Sequence, residues 1–452
     1  PLLSLNALEE LDLGGNPISS SGVLALCLDR SGRPLKSLTL WGSFANDDCA
    51  MAAMELTHLS KLDLSWSRLS GQGASCIALG LAERLTELRL ANCDLIRPTD
   101  CASFLPALAG GTRLGCLSLA GLELDDGDLD ALSSLVTLRT LDLHGVRLAS
   151  RTPWTFELDG EQITLQHSGV WLLKVAANLT ELVELDISRM RGPDDARETR
   201  DTFSRARPRS TLAYPREEWL RFLEDGGNLP LQVLSADYLG ASLWESFGMY
   251  INSLLNRSRG SLRTLRLSGC QSDFACYYVF RPLPSLTTLR LAHCQDDLEE
   301  ADWQTTCPHL TSLDLSGSSL RTVASCLETN SLTKLSNTLI TLDLRNIDLR
   351  GNLALDGHLL SFRDVRHLLL DEPMPNLQAE MRAGEEREAA EALLAALRRQ
   401  PEDEAPDVSD GKVEVQRYTA DEMRALRDSP YSQLPTRPLT AMKGLLIQPS
   451  PP

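Results

Sequence analysis

Leucine residues recur along this chain in the pattern L-x-x-L-x-L-x-x-N/C-x-L. The first copy reads LEELDLGGNPI from Leu8, and two later copies read LSKLDLSWSRL from Leu59 and LRTLDLHGVRL from Leu138. Thirteen copies begin at Leu8, Leu35, Leu59, Leu85, Leu114, Leu138, Leu182, Leu231, Leu262, Leu286, Leu310, Leu339 and Val365. Most start about 24 to 31 residues after the previous one, so the pattern predicts a repeat array in which each unit packs on its neighbours.

The spacing of the leucines predicts the elements of each repeat. Side chains alternate along a strand, so the two leucines of L-x-L point to the same face of a short strand. Neighbouring strands are expected to pair in parallel, with their leucines stacked into one continuous core. The return segments GVLALCL (22–28) and GASCIALGLAERL (73–85) have the apolar spacing of amphipathic helices. The sequence therefore predicts an α/β solenoid with a parallel sheet on one side and mostly helices on the other.

The Asn or Cys position of the pattern falls at the turn that leaves each strand. A short polar side chain there can satisfy backbone groups that would otherwise be buried without partners. Asn16 is expected to have this role in the first repeat, and Cys93, Cys270 and Cys294 replace it with a weak donor.

These leucines and turn cysteines resemble the ribonuclease-inhibitor and cysteine-containing types of leucine-rich repeat. The resemblance implies a horseshoe with parallel strands on its concave side and helices on its convex side. It also implies an intracellular protein, and many proteins of these types bind partners through the concave sheet.

A narrower resemblance rests on the order of segments in the middle of the chain. Repeats at 117–150 are followed by an irregular insert and then by VWLLKVAANLTELVELDIS at 170–188. This order is similar to the repeat region of the zer-one/zyg-eleven family, the substrate receptors of cullin-type ubiquitin ligases. GEEREAAEALLAALRRQPED at 384–403 resembles the acidic helix that joins that family's repeats to its armadillo domain.

The leucine pattern also predicts how the chain is divided. We expect a solenoid over 1–372 with inserts at 149–181 and 189–230. A helix over 373–400 is expected to cap the open end of the solenoid, with a partner-binding helix as the alternative. Residues 401–452 are rich in proline and acidic residues and are expected to form a disordered tail or linker.

Two local patterns describe the inserts. Alternating residues around Asp159 and Gly160 predict a small β-hairpin with a type I′ turn. The charged stretch 191–221 has few apolar residues and predicts a loop that leaves the solenoid. Because the chain starts with Pro1 directly before a repeat, we expect natural sequence to precede it.

Composition narrows the possible partners. The net charge of −18 argues against general binding to nucleic acid or to an anionic membrane surface, and no apolar run is long enough to span a membrane. The eleven cysteines include no C-x-x-C pair and no cluster with metal-ligand spacing. They are expected to be reduced, mostly buried thiols of a cytoplasmic or nuclear protein.

A search for catalytic patterns finds no phosphate-binding loop, no H-E-x-x-H and no G-x-S-x-G. His144 stands two residues after Asp142, but no serine or cysteine is tied to this pair by a motif, so a surface histidine is the expected interpretation. We therefore predict that the chain is not an enzyme and that it uses no cofactor, no metal and no small-molecule substrate.

The residue between the last two leucines of each repeat is expected to face outward on the concave sheet. A few residues two positions further on add to this face. The candidate protein-binding residues are Trp41, Asp63, Arg89, Asp142, His144, Asp186, Arg266, Arg290, Asp314 and Asp343.

Two features of this face suggest a specific binding mode. Arg266 and Arg290 are expected on adjacent strands, where they could receive an acidic group of a partner, and Asp314 on the next strand would relieve part of their repulsion. Trp41 would serve as an aromatic anchor at the other end of the face. The alternative is that these charges only keep the surface solvated.

The function that follows from the sequence is a protein-interaction scaffold or adaptor. The narrower resemblance implies the substrate-recognition subunit of a cullin-type ubiquitin ligase. The alternatives are a specificity domain of a larger enzyme whose catalytic part lies outside this chain, or a structural or inhibitory component of a large assembly.

Overall fold

The structure is a computed structural model, and it describes only part of the chain. The described residues are 7–28, 34–149, 154–158, 161–165, 178–192, 228–239, 251, 253–269, 282–294, 303–319, 335, 338–347 and 367–369. The chain divides into the units Pro1–Asp371 and Glu372–Pro452, and every described residue belongs to the first. The predicted capping helix (373–400) and tail (401–452) lie outside the described residues.

The main element is one sheet of thirteen strands in which every neighbouring pair is parallel. One strand comes from each of the thirteen sequence repeats, and the order along the sheet follows the chain. The strands are β1 (Glu10–Asp12), β2 (Ser37–Thr39), β3 (Lys61–Asp63), β4 (Glu87–Arg89), β5 (Cys116–Ser118), β7 (Thr140–Asp142), β11 (Glu184–Asp186), β12 (Val233–Ser235), β13 (Thr264–Arg266), β14 (Thr288–Arg290), β15 (Ser312–Asp314), β16 (Thr341–Asp343) and β17 (His367–Leu369).

The leucines of the repeat form the core behind this sheet. The central residue of each strand is a leucine, and these leucines pair with one another along the whole sheet, as Leu265 does with Leu234 and Leu289. Leu265 and Leu289 are fully buried. Burying one such side chain stabilises the fold by about 1.5–3 kcal/mol, so the stacked leucines are the main source of stability. The predicted parallel sheet and continuous apolar core are confirmed.

Helices cross between successive strands in the first half of the chain. They are α1 (Ser20–Cys27), α2 (Asp47–Ala53), α3 (Gly71–Leu81), α4 (Asp100–Ala109) and α5 (Asp126–Leu132). A short helix at Trp303–Thr306 and helical residues at 253–257 occupy the same place in later repeats.

Both helices predicted from apolar spacing are present, with shifted ends. The first begins at Ser20, because Ser19 accepts a hydrogen bond from the Gly22 N–H and so caps it. The second begins at Gly71 and ends at Leu81, four residues before the predicted end. Leu85 lies outside it because it is the first leucine of the next repeat and is fully buried in the core.

Aspartates link the N-termini of successive helices. The buried Asp128 carboxylate of α5 accepts hydrogen bonds from the N–H groups of Ala102 (2.6 Å) and Thr99 (3.1 Å) at the start of α4. Asp47 of α2 accepts in the same way from the Ser70 N–H and hydroxyl. Burial raises the pKa of Asp128, and the backbone donors partly oppose that effect. These contacts hold neighbouring repeats in register on the side away from the sheet.

Two smaller sheets accompany the main one. Strands β9 (Trp154–Leu158) and β10 (Glu161–Leu165) pair antiparallel, which confirms the predicted hairpin, although its turn at Asp159 and Gly160 lies outside the described residues. Strands β6 (Glu123–Leu124) and β8 (Arg147–Leu148) pair in parallel after the turns of their repeats. Of the predicted loop at 191–221, only residues 191–192 are described.

Candidate protein-binding surface

The third residue of each strand lies on the face of the sheet opposite the central leucines, which we call the open face. Register pairs place Arg266 beside Arg290, and Arg290 beside Asp314. Eight of the ten candidate residues are third residues of strands and therefore lie in one row across the sheet. They are Asp63, Arg89, Asp142, Asp186, Arg266, Arg290, Asp314 and Asp343.

The aspartates in this row have a structural role that the sequence analysis missed. Each accepts a hydrogen bond from the backbone N–H two residues later, which closes the turn at the end of the strand. The donor–acceptor distances are 2.8 Å for Asp12, 2.9 Å for Asp63, 3.0 Å for Asp142, 2.8 Å for Asp186, 2.9 Å for Asp314 and 3.1 Å for Asp343. The L-D-L sequence is therefore a turn signal as well as a source of charge.

Two candidate aspartates are less available than the sequence suggests. Asp343 is only 6% exposed, and the Arg345 guanidinium binds its carboxylate at 2.7 Å. Burial raises the pKa of Asp343, but the hydrogen bonds and charge of Arg345 outweigh it and hold that pKa below its usual range. Asp142 accepts a second hydrogen bond from the Ser118 hydroxyl at 2.7 Å. Both carboxylates are thus committed within the sheet.

The arginine pair at the centre of the face is arranged asymmetrically. Arg290 turns toward the following strand and forms an ion pair with Asp314 at 2.9 Å. Arg266 is exposed and forms no ion pair with any residue in the described ranges. Asp314 therefore relieves the repulsion between the two arginines, and no residue in the described ranges compensates the charge of the exposed Arg266.

At the first repeats, Trp41 borders a shallow groove of about 280 Å³. Trp41 is 45% exposed, and its indole lies against the backbone of Gly14 and Gly15, where any Cβ would overlap the ring. The groove is lined by Ser37, Leu38, Thr39, Trp41, Lys61, Leu62, Asp63, Glu87 and Arg89. Arg89 forms an ion pair with Glu87 at 2.7 Å, so its charge is partly neutralised within the groove.

His144 forms no catalytic pair with Asp142. The hydrogen bond between these residues runs from the His144 backbone N–H to the carboxylate, and the imidazole makes no hydrogen bond with any residue that the structure describes. A histidine that acts as a general base needs a hydrogen-bond partner that orients its imidazole ring, and no described residue supplies one here. His144 is therefore a partly exposed side chain beside the open face.

After each of the first twelve strands of the main sheet, the turn has a left-handed residue three positions beyond the strand's last residue. Six repeats place glycine there, and six place a larger residue. The glycines are Gly15, Gly42, Gly121, Gly145, Gly269 and Gly317, and the others are Trp66, Asn92, Arg189, Tyr238, His293 and Asn346. A left-handed conformation costs a non-glycine residue roughly 1–2 kcal/mol. The sequence analysis missed this column, although the recurring glycines were a visible signal.

Four consecutive members of the column form a continuous row, which we call the aromatic ridge: Arg189, Tyr238, Gly269 and His293. The three side chains are exposed, and Gly269 is half-buried. The Arg189 guanidinium lies 5.9 Å from the centre of the Tyr238 ring, and the Tyr238 and His293 ring centres are 5.9 Å apart. Gly269 lies beneath Tyr238, and a Cβ there would be 2.5 Å from the ring. The ridge adjoins the arginines of the open face.

The charges around Tyr238 show that the ridge and the open face form one environment. Burial is the largest influence and raises the pKa of Tyr238. The charges of Arg290 and Arg189 lower this pKa, whereas those of Asp237 and Asp314 raise it, and the net shift is upward. Asp237 is 8% exposed and accepts a hydrogen bond from the Ser268 N–H at 2.6 Å, so its carboxylate is directed into the turns.

The turn side chains have the predicted structural role. The Asn16 amide donates to the backbone carbonyls of Leu13 (3.1 Å) and Gly14 (3.2 Å). The Cys93 thiol points to the Leu64 carbonyl of the preceding repeat at 3.2 Å, and the Cys294 thiol points to that of Leu267 at 3.6 Å. Cys270 lies outside the described residues.

The cysteines in the described ranges form no disulfide, and most are buried. Burial raises the pKa of Cys27 and Cys307 to about 12 and, with the nearby Glu87 charge, that of Cys116 to about 11. Within the described part of the chain, no three His, Cys, Asp or Glu side chains are grouped to hold a metal ion. Nor does that part contain a helix with the length and apolar character needed to cross a membrane.

Parts of the chain match a known repeat family. A family model described as a leucine-rich repeat matches residues 5–27, 55–78 and 306–321. Among solved structures, an internalin from Listeria monocytogenes is 15% identical with a TM-score of 0.41, over 81% of this chain and 87% of the internalin.

Two plant structures are also similar to this chain. The ectodomain of the Arabidopsis thaliana receptor kinase GASSHO1/SCHENGEN3, in complex with CASPARIAN STRIP INTEGRITY FACTOR 2, is 16% identical with a TM-score of 0.34. The ectodomain of the Arabidopsis receptor kinase HAESA, in complex with an IDA peptide hormone, is 16% identical with a TM-score of 0.36. The alignments include 80% and 82% of this chain but only 35% and 51% of those two chains.

The class of protein follows from the parallel sheet, the stacked leucines and the matched repeats. The fold is an α/β leucine-rich-repeat solenoid. A domain of this class is generally a module for protein–protein interaction.

Proposed function

We propose that this chain is a non-catalytic protein-interaction scaffold that binds a partner protein on the open face of its sheet. The observation that carries the proposal is the single parallel sheet of thirteen strands, whose third residues share one register. At about 4.8 Å per strand, this face is roughly 60 Å long, which is ample for a standard interface of about 800 Å² per partner.

The chemistry of the open face supports a protein ligand. The exposed Arg266 and the half-exposed Arg290 are suited to an acidic group of the partner. Trp41 offers an exposed aromatic anchor at the other end, and tryptophan and arginine are the residue types that contribute most often to interface affinity. We expect no nucleic acid or membrane partner, because the chain carries a net charge of −18, and no small-molecule substrate, because the sequence carries no catalytic pattern.

The finer proposal is that the scaffold recruits substrates to a cullin-type ubiquitin ligase. Its support is the segment order at 117–188 and the acidic helix sequence at 384–403. The alternatives remain a specificity domain of a larger enzyme and a structural or inhibitory component of an assembly. The full-length reading frame separates these, since armadillo repeats and a ligase-docking segment favour the receptor, and a kinase, nuclease or nucleotide-binding domain favours the enzyme.

We also propose a cytoplasmic or nuclear location. Its support is the eleven cysteines, of which the eight in the described ranges are free thiols. Such a content of unpaired thiols is typical of reducing compartments. Fractionation of cells that express the tagged full-length protein tests this, and recovery in the secreted fraction would count against it.

The experiment for the main proposal is affinity purification from native extract with mass spectrometry. The wild-type chain is compared with an Arg266→Glu/Arg290→Glu variant and with an Arg113→Glu/Arg147→Glu control, which makes the same charge change at exposed positions off the open face. We expect the first variant to lose its main partner at least tenfold and the control to retain it. Equal recovery with both variants would remove the arginines of the open face from the proposal.

The same purification tests the finer proposal, which predicts that a cullin subunit is recovered with the wild-type chain. Its consistent absence, with a different enzyme or assembly component recovered instead, would favour one of the alternatives.

A further inference from the structure

We infer that the aromatic ridge, together with Arg266 and Arg290, is a docking site for a carboxylate-rich peptide segment of the partner protein. The inference rests on the proposed function, because it specifies where and by which chemistry the partner is bound. It adds residues on the turns, Arg189, Tyr238 and His293, to the face formed by the strands.

The balance of charge around the ridge is the first argument. Two exposed arginines border the ridge. Arg189 lies over the Tyr238 ring, and Arg266, three residues before Gly269, forms no ion pair with any described residue. The acidic groups nearby are Asp314, which is engaged by Arg290, Asp237, which is nearly covered, and Asp186, which accepts a hydrogen bond from the Ser188 N–H. The formal charges balance, but the guanidinium groups of Arg189 and Arg266 form no ion pair with a described residue and stay open to a carboxylate.

The arrangement of the rings is the second argument. The Tyr238 residue is 39% exposed and lies between a guanidinium on one side and an imidazole on the other. Gly269 adds no side chain to the row, so the rings lie low over the turn backbone. Carboxylates of a peptide can reach the guanidinium groups while its methylene groups pack on the rings, and arginine binds carboxylates with two parallel hydrogen bonds.

Backbone strain is the third argument. Arg189, Tyr238 and His293 have φ values of 56°, 54° and 56°, in a turn position where other repeats use glycine. Glycine would remove the strain without changing the turn, yet these repeats place large side chains there and leave them exposed. Strained residues of this kind concentrate where side chains are needed for binding.

The occupant is identified by its charge. A basic segment would be repelled by the exposed, positively charged Arg189 and Arg266. A carboxylate-rich peptide complements these two guanidinium groups. Because the net charge of the chain repels any polyanion, only these local contacts can produce its binding.

Fluorescence anisotropy with fluorescein-labelled deca-glutamate, at low ionic strength, tests the inference. We compare the full chain with an Arg189→Gly/Arg266→Ala variant and with an Arg113→Ala/Arg147→Ala control. Glycine adopts a positive φ freely, so the first variant keeps the turn geometry. We expect at least tenfold weaker binding to this variant, unchanged binding to the control, and no binding of deca-glutamine.

Three results overturn the inference. The first is that deca-glutamate does not bind the wild-type chain. The second is that it binds the Arg189→Gly/Arg266→Ala variant and the control equally well. The third is that only a phosphoserine-containing version of the peptide binds, which would mean that the site recognises phosphate groups. The same preparations are used for partner capture. If Arg266→Glu/Arg290→Glu still abolishes capture while deca-glutamate does not bind, this inference falls and the proposed function stands.

Discussion

The rings of Tyr238 and His293 are 5.9 Å apart, although a whole repeat separates the strands that precede them. Strands that far apart are separated by about 9.6 Å, twice the spacing of neighbouring strands. The rings approach because Gly269, in the repeat between them, places no side chain in the gap. A glycine thus determines how the side chains of its neighbours are arranged on the surface.

The first prediction concerns this glycine. Gly269 has a φ of 72°, and a Cβ would lie 2.5 Å from the Tyr238 ring. Gly269→Ala should therefore lower the free energy of unfolding by about 1–2 kcal/mol from the left-handed backbone alone, and by more if Tyr238 cannot move. Urea denaturation followed by circular dichroism measures this loss.

Gly260→Ala is the matched control for that change. Gly260 is exposed, and a Cβ there would meet nothing within 4 Å. The free energy of unfolding of the Gly260→Ala variant should stay within about 0.5 kcal/mol of the wild-type value or rise slightly. If the two alanine variants lost stability equally, the left-handed turn would not be the cause.

The second prediction concerns the turn aspartates. Asp142→Ala removes the acceptor for the His144 N–H at 3.0 Å and for the Ser118 hydroxyl at 2.7 Å. The unfolding free energy should fall by about 1–3 kcal/mol, because a partly buried donor loses its partner. Asp142→Asn keeps a side-chain oxygen that can accept one of these hydrogen bonds, so it should lower the free energy of unfolding by less than Asp142→Ala does.

Asp94→Ala provides the comparison, since Asp94 is exposed and makes no hydrogen bond with a described residue. It should change the urea midpoint little. A midpoint for Asp142→Ala that matched that of Asp94→Ala would mean that the aspartates serve only as surface charge.

The third prediction concerns the reactivity of the cysteines. Burial raises the pKa of Cys27 and Cys307 to about 12, so almost no thiolate is present at pH 8 and the thiols are shielded as well. In a short iodoacetamide pulse, we expect the partly exposed Cys76 to be modified before either of them. Peptide mass spectrometry measures the order, and unfolding in urea should abolish it.

The fourth prediction concerns Asp343 and Arg345. Although burial raises the pKa of Asp343, the hydrogen bonds and charge of Arg345 lower it further, so its folded value lies below the unfolded value of about 3.9. The stabilisation from ionised Asp343 is therefore present above pH ~4 and is lost as the pH falls through the folded pKa. Replacing Arg345 with Met should raise the Asp343 pKa in a carbon-13 NMR titration.

Arg113→Met is the control for this titration and should leave the Asp343 pKa unchanged. An unchanged pKa in the Arg345→Met variant as well would show that Arg345 is not the cause. In urea denaturation, the stability difference between wild type and Arg345→Met should be larger at pH 7 than at pH 3.

The positions of the strands follow from the sequence, and Leu265 shows why. Its repeat places one leucine at the centre of L-x-x-L-x-L, and only a strand buries that leucine beside the corresponding ones of adjacent repeats. Because side chains alternate along a strand, the same spacing also places Arg266 on the open face. Local periodicity thus predicted the sheet, its order and the row of third residues.

The state of each candidate side chain did not follow from the sequence. Arg266 and Arg290 occupy the same position of the repeat, yet Arg290 is paired with Asp314 and Arg266 is not. Asp343 is covered by Arg345 of its own repeat, where the repeat of Asp186 has Ser188. The sequence shows that arginine, but only the structure shows that its side chain folds back onto the Asp343 carboxylate.

By itself, the sequence determined that leucines stack into a parallel repeat sheet, because burial of apolar side chains at a fixed spacing allows few other arrangements. Only the tertiary structure decided which residues meet across repeats. Arg189, Tyr238 and His293 lie far apart in the sequence, and they form one surface because parallel strands bring the same turn position of successive repeats side by side.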